Sequence, residues 1–138
     1  MEMLLEQTCN LNEISPLTLA FVGDGVYDLL VREYLVKKAN RPVGELNRLK
    51  VSLVCCSAQA QFYTVLESLL SPEEISVYKR GRNASPNCTP KNATKAQYHS
   101  ATGLEALFGY LYLSGRTDRI RTLFGIIADE SEKHIKSV

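Results

Sequence analysis

The sequence predicts an all-α fold, and three observations carry that prediction. Apolar residues recur at helical spacing through most of the chain. Ser15-Pro16 and Ser71-Pro72 each open such a run, placing a capping hydroxyl ahead of a residue that needs no N–H in the first helical turn. No stretch keeps the polar–apolar alternation of a half-buried strand, and there is no internal repeat. The 138 residues suffice for one domain whose core needs neither disulfide nor structural metal. We divide the chain into a lead (1–14), one helical domain (15–133) and a tail (134–138).

In the lead, a helical turn is expected near Leu4 and Leu5, ahead of Asn10-Leu11-Asn12. The first long helix should run from Pro16 to Lys38 and stop at Ala39-Asn40-Arg41-Pro42. Phe21, Val22, Val26, Leu29, Leu30 and Val31 cover more than one of its faces. A surface helix usually shows one apolar stripe, so this one should be central, or covered on one side by a second copy of the chain. A second helix starts near Val43 with Leu46, Leu49 and Leu53 inside. Cys55 to Ala58 either breaks that helix or continues it into the run to Leu70, whose inner side would be Ala60, Tyr63, Leu66, Leu69 and Leu70. After Ser71-Pro72 come Glu73 and Glu74, acids that favour a helix N-terminus. This short helix, through Ile75, Val77 and Tyr78, should end at a basic cluster, with Gly81 to Ala93 a long irregular loop. Two more helices follow, from Thr94 to Leu113 around Leu104, Leu107, Phe108 and Leu111, and from Thr117 to Lys133 around Ile120, Leu123, Phe124, Ile127 and Ala128.

Composition narrows the function classes. Hydrophobic residues make up 45% and charged residues 22%, as in soluble globular proteins. No segment approaches the ~18 uninterrupted apolar residues of a membrane span. The N-terminus lacks the basic start and apolar region of a secretory signal, so a cytoplasmic protein with no membrane partner is expected. Cys9, Cys55, Cys56 and Cys88 have no metal-ligand spacing and read as small, mostly buried thiols. The net charge of +1 hides a division: the five basic residues Lys79, Arg80, Arg82, Lys91 and Lys95 share one segment with no acid, while the remainder holds 11 basic and 15 acidic residues. Such a segment suits a polyanion, although it would also serve as a solvated loop.

Two acids stand inside apolar helices. Asp24 interrupts the first, where an unpaired buried charge would cost several kcal/mol, and Glu105 interrupts the fourth predicted run. If those helices cross, the two carboxylates meet. They then repel unless a cation lies between them, and hard oxygen ligands suit Mg²⁺ or Mn²⁺. A magnesium ion held by few carboxylates keeps several waters and can activate one toward phosphate. The alternative pairs each acid with a core arginine or a hydroxyl.

Phe21-Val22-Gly23-Asp24-Gly25-Val26 resembles the Phe-Leu-Gly-Asp-Ala-Val core of the ribonuclease III signature, and Leu104-Glu105-Ala106-Leu107-Phe108-Gly109-Tyr110-Leu111-Tyr112-Leu113 resembles that family's second acidic motif. Lys79-Arg80-Gly81-Arg82-Asn83-Ala84, Thr89-Pro90-Lys91-Asn92 and Tyr98 are similar to the loop and last motif of its short Mini-III branch, the nuclease domain without a double-stranded RNA-binding domain. The resemblance spans residues 15–128 and implies that 15–133 is a ribonuclease III-like catalytic domain. It further implies a homodimeric endonuclease that cuts double-stranded RNA with Mg²⁺ (Mn²⁺ substituting), leaving 5′-phosphate and 3′-hydroxyl ends. On that basis Asp24 and Glu105 are the catalytic metal ligands. The implied task is maturation of the 23S ribosomal RNA precursor, with a ribosomal protein or preribosomal particle as a further partner. Larger family members carry two more acids, where this chain has Ala20 and Thr102, as Mini-III proteins do.

For RNA, Lys79, Arg80, Arg82, Lys91 and Lys95 would contact phosphates while Asn83 and Asn92 would reach sugar hydroxyls. Asp28 reads as an ion pair with Arg32, Tyr98 as a packing residue, and His99 as a backbone or RNA contact rather than a general base. Two other readings remain at this point: a non-catalytic RNA-binding scaffold, favoured by Ala20 and Thr102, and an all-α protein-interaction module.

Overall fold

The first helix takes its start from Ser15, whose side chain accepts a hydrogen bond from the Thr18 N–H at 3.2 Å. The computed structural model describes residues 3–86 and 90–136, with residues 134–136 described by their backbone. Six helices follow one another: α1 Pro16–Lys38, α2 Val43–Val54, α3 Cys56–Leu66, α4 Pro72–Ala84, α5 Lys95–Leu113 and α6 Thr117–Lys136. No strand occurs among the described residues. Full reciprocal capping boxes open α4 (Ser71 with Glu74) and α5 (Thr94 with Gln97), each satisfying two otherwise free N–H groups.

Helix α5 is the centre, with α1, α3, α4 and α6 all packed on it. Leu104, Leu107, Phe108 and Leu111 are fully buried along it, against Tyr27, Leu30 and Val31 of α1, Leu66 of α3 and Ile120 and Leu123 of α6. Arg119 of α6 clamps α4 from outside. It donates to both carboxylate oxygens of Glu74, each at 2.8 Å, and to the Leu69 carbonyl at 2.8 Å. That pairing holds the Glu74 carboxyl below its usual pKa although Glu74 is buried.

Several expectations are corrected. The turn of the lead lies at Leu11–Glu13, in 3-10 geometry, where Asn10 caps the Asn12 N–H; Leu4 and Leu5 are not helical. The chain breaks at Cys55, whose extended backbone (φ −64°, ψ 157°) separates α2 from α3. Leu69 is exposed, because the 3-10 turn Glu67–Leu69 rotates it off the face that buries Phe62, Tyr63 and Leu66. Helix α4 continues through Gly81 to Ala84, four residues into the predicted loop, and α6 reaches Lys136. Cys9 and Cys55 are exposed and Cys56 half-buried, so the thiols are not mostly buried; Cys88 lies outside the described residues, as do Asn87 and Thr89 of the loop.

Candidate active site

Helices α1 and α5 touch backbone to backbone, and two glycines allow it. A Cβ on Gly23 would lie 1.6 Å from the Glu105 carbonyl oxygen, and one on Gly109 1.9 Å from that of Leu19. No side chain fits at either point, so the crossing is fixed in register. Asp24 follows Gly23 directly, and it is thereby set beside Glu105 across the crossing. The two carboxyl groups lie within hydrogen-bonding reach of each other. Desolvation, and then the negative charge of Asp24, push the Glu105 pKa up from 4.5 to about 8.

Burial is divided differently from the expectation. Asp24 is exposed on the chain and Glu105 is the half-buried partner. The reason is the unequal covering of α1. Its inner face (Leu19, Ala20, Gly23, Val26, Tyr27, Leu30) lies on the core, but Leu17, Phe21, Leu29 and Val36 face outward, Phe21 81% exposed and Leu29 52%.

A third residue, which sequence reasoning missed, closes the site. Gln59 of α3 is 2% exposed, and its Nε2 donates to the Val54 carbonyl at 2.8 Å and to Glu105 Oε2 at 3.4 Å. Its Oε1 is buried without a partner among the described residues. A glutamine in a run of small and polar residues (Cys56-Ser57-Ala58-Gln59-Ala60-Gln61) carries no pattern that marks it. Above this corner the Tyr27 hydroxyl donates to the Leu53 carbonyl at 2.7 Å; burial, Cys55 and Glu105 all raise its pKa.

The two positions without acids are built into the packing. Ala20 is buried, and Thr102 is buried with its hydroxyl donating to the Tyr98 carbonyl at 3.0 Å and 3.1 Å from Ser85 Oγ. Among the described residues no group of three or more His, Cys, Asp or Glu side chains could share an ion. The oxygen donors at the crossing are the two carboxylates of Asp24 and Glu105. Both are hard oxygen donors, and they fit a hydrated Mg²⁺ or Mn²⁺. Asp28, one turn on, is committed elsewhere, 2.5 Å from Arg32 Nε and 3.5 Å from Lys50 Nζ.

The basic residues gather at the end of α4, in the connection after it and at the start of α5. Gly81 lets α4 approach α5, since a Cβ there would sit 2.6 Å from Ala106 Cβ and 3.2 Å from Gly103 Cα. Lys79 and Arg80 stand near the end of α4, as expected, and Arg82 and Asn83 stand on its last turn rather than in a loop. Lys91 and Asn92 belong to the connection, Asn92 at φ 68°, and Lys95 opens α5. Lys79, Arg80, Lys91 and Lys95 are exposed, and Arg82 lies 5.7 Å over the Tyr78 ring. None of the five has a carboxylate within 4.0 Å among the described residues. Tyr98 is half-buried 6.1 Å from the His99 ring, and His99 Nε2 is buried without a partner among the described residues.

Residues 17–116 match the Ribonuclease III domain family. The chain belongs to the ribonuclease III family. It is 44% identical over 110 residues to a Mini-ribonuclease 3 of Thermoanaerobacter sp. (strain X514), covering 80% of this chain and 78% of that protein. With the Mini-ribonuclease 3 of Brevibacillus brevis the identity is 41% over 130 residues, 91% of this chain and 97% of the relative. The crystal structure of protein FN1578 from Fusobacterium nucleatum superposes with a TM-score of 0.79 at 28% identity, covering 86% of this chain and 95% of that one. This ribonuclease III chain is accordingly an endoribonuclease of the Mini-III branch, with RNA as its substrate class. No described helix is long and apolar enough to cross a membrane.

Proposed function

We propose that the protein is a Mg²⁺-dependent endonuclease of double-stranded RNA whose catalytic centre is Asp24 and Glu105, acting as a homodimer in the cytoplasm. The observation that carries this reading is the carboxylate pair at the α1–α5 crossing; the cations on the end of α4 and the start of α5 have no acidic partner among the described residues. Burial and the neighbouring Asp24 raise the cost of ionising Glu105, and a divalent cation offsets that cost. Asp24 and Glu105 would hold the ion, which when bound supplies Lewis-acid polarisation of a phosphodiester and a water acidified enough to attack it. The chain's own contributions are distinct. Asp24, exposed, is the carboxylate within reach of substrate, and Glu105 is held by the crossing and by Gln59. Lys79, Arg80, Arg82, Lys91 and Lys95 draw in and orient the phosphate backbone, with Asn83 and Asn92 amides toward ribose hydroxyls.

Dimerisation rests on the outward stripe of α1. Phe21, Gly25 and Leu29 lie one turn apart along it, beside an apolar pocket lined by Leu4, Val22, Val26, Leu29 and Tyr112. An uncovered apolar face next to the site suits a second copy of the chain, which would also border Asp24. The natural substrate we assign is the paired stem of the 23S ribosomal RNA precursor, with a ribosomal protein or preribosomal particle presenting it. A binding-only scaffold would account for Ala20 and Thr102, but it has no use for a mutually repelling carboxylate pair. The test is to offer labelled duplex RNA, single-stranded RNA and duplex DNA with Mg²⁺ and to map the ends. Cleavage confined to duplex RNA with 5′-phosphate products supports the reading. Tight binding without cleavage, on the ribosomal precursor and with Mn²⁺ as well, would leave the scaffold.

A further inference from the structure

We propose that Gln59 is a positioning residue for the cation site: its amide N–H fixes the Glu105 carboxylate without neutralising it. This role presupposes the metal-site reading above. A polar group is buried here where an apolar one would pack. Gln59 shares the inward face of α3 with Phe62, Tyr63 and Leu66, and only 2% of it is exposed. Burying a carboxamide is unfavourable unless its hydrogen bonds are made. The bond from Nε2 to the Val54 carbonyl at 2.8 Å explains part of this, since it satisfies a carbonyl at the end of α2.

That bond also decides the orientation of the amide. An N–H must face Val54, so the amino group also faces Glu105 Oε2 at 3.4 Å, and the oxygen lies on the other branch. Oε1 is bonded to the same carbon as Nε2, about 2.3 Å from it by standard bond lengths. The choice of residue is equally informative. A lysine or arginine donor would hold Glu105 just as well, but its charge would compete with the ion. Glutamine donates while remaining neutral. Hydrogen bonds to a ligating carboxylate commonly change metal affinity 10–100-fold.

The test measures Mn²⁺ binding by calorimetry without RNA, together with the melting temperature of the metal-free protein. Gln59→Met keeps the volume and removes every hydrogen bond; Gln59→Asn keeps the amide on a stem too short to span both partners. Both are expected to weaken Mn²⁺ about tenfold or more. Tyr27→Phe is the control: it removes the bond to Leu53 on the same corner, so it should lower the melting temperature and leave the Mn²⁺ constant unchanged. Unchanged Mn²⁺ affinity in both Gln59 variants overturns the inference. So does an equal loss in Tyr27→Phe, which would mean that only the integrity of the corner matters. Failure of both Gln59 variants to fold would likewise make the residue a structural one. If wild type binds no Mn²⁺, or binds it as well after Asp24→Asn, the metal-site reading itself fails, an outcome distinct from loss of the Gln59 role alone.

Discussion

Glu105 is the residue in which the energetics of the site are concentrated. Its pKa stands near 8 against an unfolded value of 4.5, raised by burial and by Asp24. For an acid shifted upward, the folded state takes up the proton more readily. That stabilisation is full below the unfolded pKa and is lost as the pH rises from about 4.5 to 8. The metal-free protein should therefore lose stability across this window, by on the order of a few kcal/mol, relative to Glu105→Gln. Divalent metal should restore it at pH 8 while releasing a proton. Melting curves of wild type and Glu105→Gln between pH 5 and 8, with and without Mg²⁺, check this; parallel curves would refute it. Asp24 and Glu105 were legible in the sequence because a lone acid in an apolar helix is conspicuous. Which of them is buried was not, since it depends on how much of α1 the chain itself covers. Gln59 was not legible because a single buried amide leaves no periodic trace.

At the scale of helices, the α1–α5 crossing decides whether there is a site at all. Gly23→Ala would drive a methyl into the Glu105 carbonyl, where a Cβ has only 1.6 Å. The helices must part, at a cost of about 3 kcal/mol or more, and the carboxylates part with them. Gly125 of α6 has nothing within 4 Å of such a Cβ, so Gly125→Ala should stabilise by about 0.5–1 kcal/mol. Urea denaturation of the two variants separates the cases; a neutral Gly23→Ala would contradict the packing account. Loss of the clamp through Arg119→Ala leaves Glu74 buried and unpaired and should cost about 3–5 kcal/mol. Helix starts were readable because capping is local: Ser15, Ser71 and Thr94 mark them within a residue. The end of α4 is hidden from local sequence for a physical reason. Gly81 looks like a breaker in isolation, but here its missing side chain admits Ala106 and Gly103, and tertiary packing overrides propensity.

For the whole molecule, the arrangement is a carboxylate crossing bordered by an uncovered apolar stripe, with cations free of acidic partners among the described residues at the end of α4 and the start of α5. Phe21→Asp should shift the sedimentation of the protein toward the monomer and reduce cleavage with it, while leaving the helical signal intact. Replacing Lys79, Arg80, Lys91 and Lys95 by alanine should flatten the salt dependence of RNA binding, by close to one counterion for each phosphate that is no longer neutralised. The all-α class could be anticipated from periodicity, and the meeting of the two acids only on the condition that their helices cross; the placement of Arg82 and Asn83 on a helix end beside α5 required the α4–α5 packing. The most direct measurement is single-turnover cleavage of duplex RNA against Mg²⁺ for wild type, Asp24→Asn and Glu105→Gln, with RNA affinity measured in parallel. RNA affinity should be unchanged, and the rate should fall at least about a hundredfold for both variants at any Mg²⁺ concentration. Full-rate cleavage by Asp24→Asn would contradict it.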